Sequence, residues 1–250
     1  MLLEVKGLTK TYGTKRLPVR ALSNVDLRLA EGGILGVVGE SGCGKTTLLK
    51  VLSGLEAADD GEIKCCDSVL GHRRSKTEYR MMQMIFQDAV ASFNPRRTIR
   101  ASIRDALKCA AENGGEEDEA KLCGMVGLSE ELLDRRPGQL SGGQCQRFAI
   151  ARAVAVKPKI LLCDEATSAL DVSAQAQILK LLSGICRSTK TAAIFVSHDL
   201  AVVSSLCDRI MVMKSGCVME EGTAAELIKT PKDEYTKKLI ESVMEIPDEK

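Results

Sequence analysis

Eight consecutive residues, Gly39-Glu40-Ser41-Gly42-Cys43-Gly44-Lys45-Thr46, follow the pattern G-x-x-x-x-G-K-[ST] of a phosphate-binding loop. Glycines let backbone N–H groups curl round phosphate oxygens, and a helix N-terminus behind them adds a positive dipole. Lys45 is then expected at the β- and γ-phosphates of a nucleoside triphosphate, and the Thr46 hydroxyl on Mg²⁺. Cys43 fills a variable position of the loop, and Thr47 follows in the helix. Further along, Asp164 comes directly after four apolar residues, Ile160-Leu161-Leu162-Cys163, which places it at the C-terminal edge of a strand. A carboxylate there can hold Mg²⁺ through water, and Glu165 beside it is the candidate general base for an attacking water. A third segment, Leu140-Ser141-Gly142-Gly143-Gln144, opens a helix with a serine and two glycines at its N-terminus, a second place where an anion can sit.

These groups need a scaffold, and the apolar pattern supplies one. Residues 2–8 and 22–29 alternate apolar and polar side chains, as half-buried antiparallel strands do. Residues 33–39 form a continuous apolar run that suits a strand buried on both faces and leads straight into the phosphate loop. Residues 46–52 open a helix, so the strand–loop–helix context of the motif is present. Residues 160–163 and 192–196 read as parallel strands of the same sheet, each ending in polar residues where open α/β sheets place their ligands. From about 95 to 155 the pattern turns helical: residues 98–111 carry Ile99, Ile103, Ala106, Leu107 and Ala110, and a second helix is expected over 144–156. Residues 113–118 read as a solvated acidic turn between them. A short strand at 217–219 and amphipathic helical segments complete the chain.

The 250 residues can bury one large core or a core with an inserted subdomain. Lys plus Arg number 35 against 34 acidic residues, so no net field draws the chain to nucleic acid or to an anionic membrane. No apolar stretch approaches the ~18–20 residues of a membrane span, and the N-terminus has no signal-peptide core, so a cytosolic protein is expected. The ten cysteines are scattered without C-x-x-C spacing and have only two histidines for company, which predicts free, largely buried thiols rather than disulfides or a metal site.

Taken in order, the phosphate loop, Leu140–Gln144, Asp164-Glu165 and His198 resemble an ABC-type ATPase cassette over nearly the whole chain. The fold this implies is an α/β P-loop nucleotide-binding core with an antiparallel β subdomain and an inserted helical subdomain. The core covers about 1–94 and 156–228, the helical insert about 95–155 and a helical tail about 229–250, within a single domain. The resemblance implies ATP and Mg²⁺ as cofactors and assigns further residues. Gln87, in Met84-Ile85-Phe86-Gln87-Asp88, matches the glutamine that touches Mg²⁺ and the attacking water; Gln83 is its decoy. His198, in Val196-Ser197-His198-Asp199, matches the histidine that contacts the γ-phosphate, whereas His72 reads as a solvated loop residue. Tyr12 matches the aromatic that stacks on adenine. Ser141, Gly142, Gly143 and Gln144 match the signature that closes on the nucleotide of a second cassette, itself or a paralogue, in a head-to-tail sandwich. Asp171 matches the loop crossing the same interface. Cys145 departs from the pattern, since relatives commonly carry Arg or another polar residue there; Arg147 and Arg152 remain.

Two segments point to a branch. Residues 86–99, with Gln87-Asp88, Ser92 and Asn94-Pro95-Arg96, and the tail Pro231, Tyr235-Thr236 and Leu239 resemble peptide and nickel importers. The branch implies two membrane permease subunits, an indirect link to a substrate-binding protein, no nucleic acid, and a peripheral place on the cytoplasmic face of the membrane. Some peptide-importing relatives carry a cysteine cluster beyond the tail; none follows Cys217, which favours the shorter nickel or dipeptide type. The rivals are an accessory cassette of phosphonate breakdown and a soluble ABC ATPase of DNA repair or translation.

Overall fold

The computed structural model describes residues 1–14, 16–110, 116–166 and 172–244. In chain order it has β1 (Leu3–Thr14), β2 (Leu17–Leu29), β3 (Ile34–Val38), α1 (Lys45–Ser53), β4 (Asp60–Cys65), β5 (Ser68–Val69) and α2 (Lys76–Met81). Next come β6 (Met82–Ile85), α3 (Ile99–Cys109), α4 (Glu116–Val126), α5 (Gly142–Ala155) and β7 (Ile160–Asp164). The chain continues with α6 (Val172–Thr189), β8 (Ala192–Val196), α7 (Leu200–Leu206), β9 (Arg209–Lys214), β10 (Cys217–Thr223), α8 (Ala224–Lys229) and α9 (Glu234–Met244). Contacts group these into two compact units, residues 1–75 with 192–250, and residues 76–191.

In the first unit β1 and β2 form the antiparallel pair expected from their alternation, in register from Leu3↔Leu29 to Thr14↔Leu17. Leu3, Val5 and Leu8 face the core with Val25, Leu27 and Leu29. β4 pairs with the other edge of β1, and β5 closes the sheet. A second set of strands is built round β3, which lies parallel to both β8 and β9. All five residues of β3 and all five of β8 are buried, as two-sided coverage requires of an unbroken apolar run. β10 returns antiparallel to β9, and α8 and α9 follow.

The second unit carries the parallel pair β6 and β7, matched from Met82↔Ile160 to Ile85↔Cys163. Helix α5 is rich in alanine and buries eight residues, Phe148 among them, so it is covered on most sides. It starts at Gly142, two residues before the expected helix. Helix α3 is capped by the Thr98 hydroxyl, which accepts from the Ala101 N–H at 3.3 Å, and buries Ile99, Ile103 and Leu107 along one stripe. The acidic stretch expected as a turn behaves differently. Residues 113–115 lie outside the described residues, while Glu116 opens α4. From α4 the fully buried Glu119 carboxylate takes Arg100 and Arg104, both on α3. Arg100 also grips Asp134 with two bonds of 2.7 and 3.0 Å.

Candidate active site

In the first unit, β3 delivers the chain into the phosphate loop at Gly39. A Cβ on Gly39 would collide with the Met213 carbonyl oxygen and lie 2.8 Å from Cys43 Sγ. Gly44, at φ +109°, would put a Cβ into the Ala21 carbonyl. Glycine is required at both positions by space and by backbone angle. Gly44 is also the N-cap of α1 and offers no side-chain cap, so the first-turn N–H groups of α1 point at whatever anion arrives. Ser41, Gly42 and Thr46 are exposed, Thr47 is half-buried, and Cys43 is buried.

Lys45 is itself buried. Its ammonium donates to the carbonyls of Gly39 at 2.7 Å and Glu40 at 2.9 Å and lies 3.8 Å from Cys43 Sγ. The Cys43 carbonyl accepts from the Gly216 N–H at 2.9 Å, from the turn joining β9 and β10. His198 reaches the same sheet edge. Val196 pairs with Val37, and the Ser197 N–H donates to the Val37 carbonyl at 3.2 Å, so the exposed His198 follows β8 just beyond the strand that feeds the loop. Tyr12, on β1, donates its hydroxyl to Glu56 and has Lys10 Nζ 5.5 Å from its ring centroid. Burial, and then the Glu56 carboxylate, push its phenol up from the ordinary value.

In the second unit, β7 ends in the buried Asp164, and Glu165 follows at φ +42°. A non-glycine residue held in that region is strained, and such strain collects at functional sites. The β6–β7 register explains why Gln87 and not Gln83 meets it. Ile85 lies opposite Cys163, so two residues further on Gln87 comes level with Glu165. Its amide donates to the Glu165 carboxylate at 3.3 Å. Gln83 instead turns back to the Tyr79 and Met82 carbonyls.

The signature segment is a capping box. Ser141 Oγ accepts from the Gln144 N–H at 3.2 Å, and Gln144 Oε1 accepts from the Ser141 N–H at 3.0 Å. Gln144 therefore uses its carbonyl to shape the helix start, leaving Ser141 and Gly142 at the exposed tip. Cys145 is buried, donates to the Pro137 carbonyl at 3.3 Å, and has its thiol pushed up by burial. Arg147 binds the Val126 carbonyl at 2.8 Å and Gln177 at 3.1 Å. Arg152 clamps the segment after Gln87, donating to the Ser92 carbonyl at 2.7 Å and stacking 4.2 Å from the Phe93 ring centroid. Asp171 lies outside the described residues.

None of the ten cysteines is in a disulfide, and seven of them are buried; among the described residues no group of three or more His, Cys, Asp or Glu could hold a metal ion. Sequence reasoning missed one contact to the phosphate loop: Tyr235 on α9 accepts the Glu40 N–H at 3.1 Å. Its signal is the Tyr235 of the tail motif, whose resemblance points to a branch and not to a contact with the loop.

Residues 22–168 match the ABC transporter family. The chain belongs to that family. It is an ABC ATPase, with the α/β P-loop fold of such cassettes and its relatives in the peptide and nickel importer branch. It is 42% identical to the oligopeptide transport ATP-binding protein OppF of Haemophilus influenzae, over 99% of this chain and 76% of that protein. It is 37% identical to the nickel import ATP-binding protein NikE of Escherichia coli, over 93% of this chain and 91% of that protein. Among solved structures, the cassette matches MJ0796, an ATP-binding cassette seen as a dimer bound to ADP and Pi, with a TM-score of 0.78 at 30% identity. That match covers 89% of this chain and 99% of MJ0796. No helix among the described residues is long and apolar enough to cross a membrane.

Proposed function

We propose that this cassette is the ATP-hydrolysing subunit that energises a membrane importer for peptides or nickel. It works with a second cassette, itself or a paralogue, in an ATP-sandwiched head-to-tail dimer, on two permease subunits served by a substrate-binding protein. The contact that carries the catalytic reading is Gln87 on Glu165, a water-orienting amide against a carboxylate at the end of a buried strand. The division into a core of about 1–94 and 156–228, a helical insert of about 95–155 and a tail of about 229–250 belongs to this reading.

In this reading the loop N–H groups and Lys45 bind the ATP phosphates, Tyr12 stacks on adenine and His198 contacts the γ-phosphate. Thr46, Gln87 and Asp164 offer a hydroxyl, an amide and a carboxylate, hard oxygen donors that fit Mg²⁺. When bound, Mg²⁺ neutralises charge on the β- and γ-oxygens. Glu165 takes the proton of the attacking water. Ser141, Gly142 and Gly143, shaped by Gln144, act on the partner cassette's nucleotide, with Asp171 at the same interface.

The oligopeptide relative is the more similar in identity and the nickel relative the more similar in length, so both cargo classes belong to the proposal. The test is co-purification from native membranes followed by reconstitution in liposomes. Ala91 is exposed and lies outside the nucleotide site. Ala91→Arg should leave ATP hydrolysis near the wild-type rate and abolish uptake of peptide or nickel. Parallel loss of both would mean that the segment only supports the fold. Recovery of the native chain without a permease would overturn the importer reading.

A further inference from the structure

The tail motif has no part in the chemistry above, yet it reaches the phosphate loop. The Gly39–Glu40 peptide group is held at both ends. Its carbonyl accepts from Lys45 at 2.7 Å, and its N–H donates to the Tyr235 hydroxyl oxygen at 3.1 Å. This is the first peptide of the loop, at a glycine with φ +152°, where rotation of one peptide plane would turn the carbonyl away from Lys45. Tyr235 is set to hold it. Its side chain is buried, and Lys214 of β9 lies over the ring with Nζ 4.5 Å from the centroid. The helix that carries it is pinned at its start. Asp233 Oδ1 accepts the Tyr235 N–H at 2.8 Å, and Glu220 on β10 accepts the N–H groups of Lys232 and Asp233 at 3.0 and 3.1 Å.

We infer that Tyr235 is a positioning residue for nucleotide binding: through the Glu40 N–H it fixes the first peptide of the phosphate loop, and so makes the affinity for nucleotide phosphates depend on the docking of α9. The inference rests on the reading of residues 39–46 as the nucleotide site. Tyr235 touches no phosphate itself. Its hydroxyl is a neutral acceptor for one backbone donor, and a bond of that kind changes an equilibrium by about threefold to tenfold.

The experiment is calorimetric titration of the full chain with Mg-ADP, together with steady-state ATP hydrolysis and thermal unfolding. Tyr235→Phe keeps the ring under Lys214 and removes only the acceptor. It should weaken ADP binding by about threefold to tenfold and raise the KM for ATP by a similar factor, with a smaller change in kcat. The unfolding midpoint without nucleotide should move little. A second variant, Glu220→Gln, loosens the start of α9 without touching the loop and should give a smaller loss in the same direction. Tyr235→Phe with wild-type ADP affinity would overturn the inference. So would a loss of affinity only in proportion to lost stability, because a packing role predicts that pattern. If the wild-type chain binds no ADP, the reading of the site itself fails. Wild-type binding with an unaffected Tyr235→Phe sinks the positioning role alone.

Discussion

Two glycines of the phosphate loop separate what the loop needs for its shape from what it needs for its ligand. Gly42 has φ +79°, and a Cβ there would meet nothing within 4 Å. Alanine at 42 therefore suffers only the left-handed backbone cost, about 1–2 kcal/mol. Gly44 has φ +109°, and its added Cβ would strike the Ala21 carbonyl and lie 3.4 Å from Leu22 Cδ2. Backbone strain of about 1–3 kcal/mol combines there with overpacking of about 1–3 kcal/mol, because a β2 carbonyl cannot swing aside as a side chain can. At about 2–4 °C per kcal/mol for a chain of this size, Gly42→Ala should lower the melting temperature by about 2–8 °C. Gly44→Ala should lower it by about 8–16 °C, working from the middle of its range. Binding should rank differently. The open space beside Gly42 is where the proposed site takes phosphate oxygens, so a methyl group there should weaken ADP binding by about tenfold or more, equivalent to ~1.4 kcal/mol. Differential scanning calorimetry and ADP titration on the two variants decide the matter. Equal destabilisation by both would refute the steric account of Gly44. A folded Gly42→Ala protein that binds ADP like the wild type would refute the placement of phosphate beside that residue.

Glu165→Gln should keep ATP binding and lose about 10²–10⁴-fold in kcat, since the amide can still pair with Gln87 but cannot take a proton; near-normal turnover in the purified variant would reassign the base. The same variant with ATP should dimerise more than with ADP in sedimentation, alone or with a paralogous cassette, and monomers under all of these conditions would sink the sandwich. Glu119→Ala removes the buried carboxylate shared by Arg100 and Arg104. Arg100 keeps Asp134, and both guanidinium groups reach solvent, so the cost should fall toward the low end of the ~3–5 kcal/mol for a broken buried pair. A melting temperature lowered by about 5–12 °C is expected, and an unchanged value would show that the pair is dispensable.

Much of this arrangement could be read from local pattern. Strands β3 and β8, and β7 up to Cys163, are unbroken apolar runs because both faces are covered, and runs of that kind are visible without coordinates. The capping box is also local, since Ser141 and Gln144 stand three residues apart. Residues 116–118 were misread because an acidic helix start and an acidic turn share a composition. What the sequence could not disclose is pairing across long separations. Glu40 and Tyr235 lie 195 residues apart, and nothing in either segment specifies the other. Gln83 and Gln87 differ in context, but only the strand register shows which one comes level with Glu165. Cys145 stands where the resemblance implies Arg or another polar residue. Its thiol is packed under the Pro137 carbonyl, while Arg147 and Arg152 make their own contacts elsewhere.

The supports of the phosphate loop share one electrostatic consequence. Its carbonyls are already engaged: Gly39 and Glu40 by Lys45, and Cys43 by the Gly216 N–H. The Gly216 carbonyl in turn accepts from the Ser23 N–H at 2.9 Å, which ties the loop through the β9–β10 turn to β2. With the carbonyl dipoles held inward, the first-turn N–H groups of α1 face outward, and an anion meets donors that need no rearrangement to receive it. The group that must move is Lys45. In the proposed site it would leave two neutral carbonyls for phosphate oxygens, exchanging ordinary hydrogen bonds for charge-assisted ones roughly twice as strong. Little of the binding energy is then spent on ordering the loop, because β2, the β9–β10 turn and α9 have ordered it beforehand. On the proposed reading, specificity for a phosphate chain would follow from that division of labour: fixed backbone donors set the position, and the Lys45 ammonium supplies the change in energy on binding.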